Sequence, residues 1–98
     1  MRQEQNYMYI TFPAIPENEK ISRMAVAAFI VGMNPTVEEL EDVKTAVSEA
    51  VTNCIIHAYE EKNREECSVW LNCKRNRNEV LIEIIDKGKG IANVEKAM

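Results

Sequence analysis

Nothing in this sequence is built to enter a membrane. Its longest apolar stretch, Met24 to Met33, falls well short of the roughly 20 residues that cross a bilayer. The amino terminus lacks a basic region leading into a cleavable apolar segment, so the expected location is the cytoplasm. Cysteine is scarce and odd in number. Cys54, Cys67 and Cys73 have no metal-ligand spacing, which argues for buried or half-buried thiols rather than disulfides or a zinc site. Positive charge is not in excess either: 12 Lys and Arg stand against 16 Asp and Glu, a net charge of -4. Nonspecific binding to a phosphate backbone needs clustered cations, so direct nucleic-acid binding is not expected. The one basic run, Lys74-Arg75-Asn76-Arg77, lies between two strand-like segments and reads as a solvated hairpin turn. Repeats and low-complexity stretches are also missing.

What is there suits one small domain. At 98 residues, folding buries only about two-thirds of the surface an unfolded chain exposes, enough for a single modest core. Hydrophobic residues make up 46% and charged residues 29%, an ordinary globular balance. The aromatic and β-branched stretch Asn6 to Phe12, bounded by Pro13 and Pro16, predicts a first strand. Ile21, Met24, Ala25 and Ala28 then recur at helical steps, and Gly32 offers a residue tolerant of the left-handed conformation at the helix end. Thr36 and Glu39 form a capping box just after Pro35, which starts a second helix running to about Glu61. Its apolar stripe is Leu40, Val43, Val47, Val51, Cys54 and Ala58. Cys67 to Lys74 and Glu79 to Asp86 read as two strands, with Trp70 on the more polar face of the first. In the second, Val80, Ile82 and Ile84 share a face with Asp86, so a carboxylate ends an apolar row. The order strand, helix, helix, strand, strand predicts an α+β two-layer sandwich, helices on one face of a mixed or antiparallel sheet.

Two groups of residues can carry chemistry. Glu49, Asn53 and His57 are four apart on the second helix, in a polar line beside its apolar stripe. On spacing alone, a solvated face with i, i+4 pairs is the commoner arrangement. Asp86-Lys87-Gly88-Lys89-Gly90 follows the apolar strand, and its glycines would let the backbone approach a ligand closely. By itself it could equally be a strand-ending turn, since Asp and Gly dominate turns.

Taken together, E-x-x-x-N on a central helix and a strand-terminal D-x-G-x-G resemble the N-box and first glycine box of GHKL ATPases. The run Ser48-Glu49-Ala50-Val51-Thr52-Asn53-Cys54-Ile55-Ile56-His57-Ala58-Tyr59 is narrower and resembles the serine-kinase anti-sigma branch of that superfamily. Asn18-Glu19-Lys20-Ile21-Ser22-Arg23 and Asn34-Pro35-Thr36 resemble matching segments of the sporulation anti-sigma factors, so the likeness covers essentially the whole chain. Cys54 and Ala58 stand where that family commonly has Ala and Gly.

The resemblance implies a Bergerat-type ATP site. Asn53 would ligate Mg2+ at the ATP phosphates, Glu49 would be the general base, Asp86 would read adenine, and Gly88 and Gly90 would form the floor beside the base. The implied function is inhibition of a sporulation sigma factor together with phosphorylation of a serine on an anti-anti-sigma factor. Arg23 would contact those partners, and the first strand and first helix would supply a homodimer interface. His57 fits the family run but is expected to pack or hydrogen-bond locally rather than act in catalysis. The same resemblance places a lid and a second glycine motif beyond Met98, so residues 1–98 are expected to be the N-terminal part of the kinase domain and inactive alone. Two alternatives remain: a nucleotide-independent sigma-binding module, and the ATPase domain of a histidine kinase, which fits less well because no helix with a phospho-accepting histidine precedes the domain.

Overall fold

The longest helix begins where its capping box puts it. In the computed structural model, which describes residues 5–60, 67–86 and 90–97, the Glu39 N–H donates to Thr36 Oγ1 at 3.0 Å and the Thr36 N–H donates to Glu39 Oε1 at 2.8 Å. Two of the orphan donors at the helix start are thereby satisfied. The chain order is β1 (Asn6–Pro13), α1 (Glu17–Val31), α2 (Val37–Tyr59), β2 (Ser68–Arg75), β3 (Glu79–Asp86) and β4 (Gly90–Ala97). The sheet runs β1-β2-β3-β4 with every pair antiparallel, so the choice between a mixed and an antiparallel sheet resolves to the latter. Strand β4 was not anticipated. Glu61, the expected last residue of the second helix, lies outside the described residues.

Both helices cover one face of the sheet. Alternation puts Val69, Leu71 and Cys73 of β2 and Val80, Ile82 and Ile84 of β3 on that inner face, all buried. Val43, Val47, Val51, Cys54, Ile55 and Ala58 of α2 pack onto them. Met8, Ile10 and Phe12 of β1 and Ala92 and Val94 of β4 close the core at its two edges. Trp70 stands on the outer face, as its pattern required, and is 37% exposed.

Helix α1 buries a different face from the one its spacing suggested. Ser22, Val26, Phe29 and Ile30 are buried, while Ile21 and Met24 are more than half exposed. From Met24 to Val31 every residue is apolar, so several faces satisfy the helical period, and the bulkier Val26, Phe29 and Ile30 win the core. Ser22 is tolerated there because its hydroxyl donates to the Glu19 carbonyl at 2.7 Å.

The end of α1 also differs from expectation. Gly32 is right-handed, with φ -68°, and the residue at positive φ is Asn34, at 56°. What Gly32 provides instead is room for a neighbouring flexible side chain. A Cβ there would lie 2.6 Å from an Arg75 guanidinium nitrogen. Arg75 accordingly leaves the solvated turn expected of the basic run: it donates to the Phe29 carbonyl at 3.1 Å and sits 5.4 Å from the Phe29 ring centroid. A cation is thus placed against the open carbonyls of a helix C-terminus. Asn76 builds the turn itself, its side-chain oxygen accepting from the N–H groups of Asn78 and Glu79.

Candidate functional site

Asp86 is the buried end of the inner row of β3. Its side chain is only 12% exposed, and parity with Val80, Ile82 and Ile84 directs it beneath α2. The group it meets is His57, whose Nδ1 lies 3.5 Å from Asp86 Oδ2. The Cys54 thiol, one turn earlier on α2, faces the same carboxylate. Burial, reinforced by that negative charge, pushes the thiol up to about 11, so it stays protonated. Oδ2 itself is buried with no hydrogen-bond partner among the described residues.

Asn53 and Glu49 precede His57 by one and two turns on α2 and are exposed. The polar line therefore runs along the helix from solvent at Glu49 down to the Asp86 carboxylate. Two expected site residues are joined here to a third that was left out of the site: Asp86 touches His57, and Asn53 lies one turn away. Gly90 opens β4 and pairs with Asp86 across the antiparallel ladder. Gly88 lies outside the described residues.

Glu49 faces a second feature, a small groove of about 150 Å³ between the helices, lined by Arg23, Glu41, Lys44, Thr45, Ser48 and Glu49. Arg23 is half-buried, its Nε 3.2 Å from Glu19 Oε2. A larger hollow of about 480 Å³ lies at the opposite end of β3, around Tyr7, Lys74, Glu79 and Lys96. It is roughly 20 Å along the strand from Asp86 and offers mixed charges with no buried carboxylate.

A divalent ion would find little protein help at the Asp86 end. Among the described residues no three His, Cys, Asp or Glu side chains converge on a common point. The exposed carboxamide of Asn53 offers one neutral oxygen, a donor set that fits an ion held mainly by ligand phosphates and water. Among the described residues no helix is long and apolar enough to cross a membrane.

Comparison with known proteins shows the family of the chain. The profile of the histidine kinase-like ATPase domain matches residues 12–98. The chain belongs to that family. As a histidine kinase-like ATPase domain it is similar to the anti-sigma F factor of Clostridium beijerinckii, 55% identical over 93 residues that cover 95% of this chain and 64% of the relative. The anti-sigma F factor of Caldanaerobacter subterraneus is 50% identical over 95% of this chain and 63% of its own length, and that of Lysinibacillus sphaericus 45% identical over 95% and 62%. The chain thus spans a little under two-thirds of the length of these relatives.

The contact of His57 and Cys54 with Asp86 is what sequence reasoning missed. A signal was present: Asp86 follows the parity of a buried row, so it had to meet the α2 residues above that row.

Proposed function

We propose that the intact protein is an ATP-dependent serine kinase that also sequesters a sporulation sigma factor. The observation that carries this reading is the buried Asp86 carboxylate, set at the end of β3 against the α2 face that bears His57, Asn53 and Glu49. ATP lies in the cleft between that strand end and α2. Asp86 accepts the exocyclic amino group of adenine, and Gly88 and Gly90 let the backbone approach the base. Asn53 holds Mg2+, which supplies charge at the phosphates when bound. Glu49 accepts the proton of a serine hydroxyl on an anti-anti-sigma factor as the phosphoryl group transfers. Its exposure supports this role, because a protein substrate can reach it only from solvent. Arg23 lines the same groove as Glu49, where a guanidinium suits a carboxylate on the docked partner. The protein works as a cytoplasmic homodimer built around β1 and α1, whose exposed Tyr7, Tyr9, Ile21 and Met24 leave apolar surface to cover.

Substituting Glu49→Gln tests the kinase step. Loss of a general base lowers phosphorylation by roughly 100- to 10,000-fold while nucleotide still binds. Undiminished phosphorylation removes Glu49 from the role.

A second reading is a sigma-binding module that needs no nucleotide. It is favoured by the exposed apolar residues Ile21, Met24 and Val31 along α1, beside Arg23. Capture of the sigma factor by this chain, with and without ATP, separates the two. Equal capture favours the module, and capture that requires ATP favours the kinase reading.

A further inference from the structure

The buried Asp86 carboxylate is a demanding group to leave loosely held. One of its oxygens, Oδ2, is buried without a hydrogen-bond partner among the described residues, and the imidazole of His57 faces it at 3.5 Å. The Cys54 thiol, on the same helix, also faces the carboxylate. A carboxylate offers about four lone-pair positions. The imidazole and the thiol, both on α2, flank the carboxylate from one side and leave its other lone pairs for a ligand. Reading one exocyclic amino group demands a set orientation, because a purine with a carbonyl oxygen in that place presents an acceptor to an acceptor.

We propose that His57 is a positioning residue for base recognition: its Nδ1–H holds the Asp86 carboxylate in the orientation that accepts an adenine amino group. This rests on the reading of Asp86 as the adenine acceptor. The role acts through Asp86 and assigns His57 no part in the phosphoryl transfer itself. Its side chain is 44% exposed, so replacing it does not open the core.

The test has two arms. The chain has a single histidine, so its ring nitrogen signals in a 15N–1H NMR spectrum are unambiguous. The proposal expects the proton on Nδ1 in the neutral ring, and a shift toward the Nε2–H tautomer in Asp86→Asn. A bare Nδ1 in the unmodified chain overturns it.

The second arm measures binding of ADP and of inosine diphosphate, which carries a carbonyl oxygen in place of the amino group. The proposal expects His57→Phe to lower the ADP-to-inosine-diphosphate preference about tenfold, with inosine diphosphate binding little changed, as expected for one charge-assisted hydrogen bond set out of line. His57→Asn, whose amide nitrogen stands close to the place of Nδ1, should restore most of the preference. A parallel loss of both nucleotides in His57→Phe would mean contact with the phosphates or damage to the fold, and overturns the proposal. A preference left unmoved by Asp86→Asn sinks the base-reading role of Asp86 itself, a failure distinct from that of His57.

Discussion

The two helices lie side by side on the same sheet and use their sequences in opposite ways. Helix α2 keeps Val43, Val47 and Val51 under it and Glu49, Asn53 and His57 along its polar edge, with Ile56 as an exposed exception. Helix α1 is apolar nearly all round its second half, and only part of that surface is buried. The difference teaches that hydrophobic period fixes the orientation of a helix only when polar residues forbid the alternatives. Where they do not, side-chain bulk chooses the buried face, and the rejected apolar face remains available to a partner.

Single substitutions can break this contrast. Ile30→Ala, on the buried face of α1, should cost about 2 to 5 kcal/mol in denaturant unfolding, whereas Met24→Ser on the exposed face should stay within about 0.5 kcal/mol. Equal costs would mean that α1 has no preferred face. The next largest effect belongs to α2 and is pH-dependent. The Cys54 thiol ionises near 9 in the unfolded chain and near 11 in the folded one. Between those values the unfolded state binds fewer protons, so stability falls as pH rises. The loss is about 1.4 kcal/mol per pH unit. Cys54→Ala should flatten that part of the alkaline unfolding profile, and an unchanged slope would place the thiol outside the buried site.

The helix ends give the smallest effects. Thr36→Ala removes half of the capping box of α2 and should lower stability by about 1 kcal/mol. Gly32→Ala pushes against the mobile end of the Arg75 side chain and should cost less, about 0.5 kcal/mol, as the guanidinium gives way at the end of α1. Alanine also restricts the unfolded chain, so a stabilisation of about 1 kcal/mol, the full backbone gain, would mean that the Arg75 contact contributes nothing.

Much of this architecture was legible in the residues because local chemistry and global packing agree there. Thr36 and Glu39 announce the start of α2, and alternation in Val80, Ile82 and Ile84 places Asp86 on the inner face. What escaped depends on partners remote in sequence. Arg75 reaches α1 from the far end of β2, so no local pattern distinguishes it from Arg77 or Lys74. The room left by glycine at position 32 is taken by that same guanidinium, and its own backbone angles ask for nothing special. Strand β4 follows the glycine-rich segment, which reads locally as a turn, and Gly90 meets Asp86 only once the ladder forms. The pairing of His57 with Asp86 likewise joins two elements, and nothing local to α2 marks His57 as the residue that stands over Asp86.

The place of β1 in the sheet has a kinetic consequence. Strands β2, β3 and β4 are joined in succession and can zip up as neighbouring hairpins, but β1 meets β2 only after the chain has travelled out through both helices and back. Closing so long an excursion is slow compared with forming a hairpin. The strand bearing Tyr7 and Tyr9 should therefore be the last to dock during folding and the first to let go, exchanging its amide protons ahead of those of Leu71 and Ile82 in the centre of the sheet.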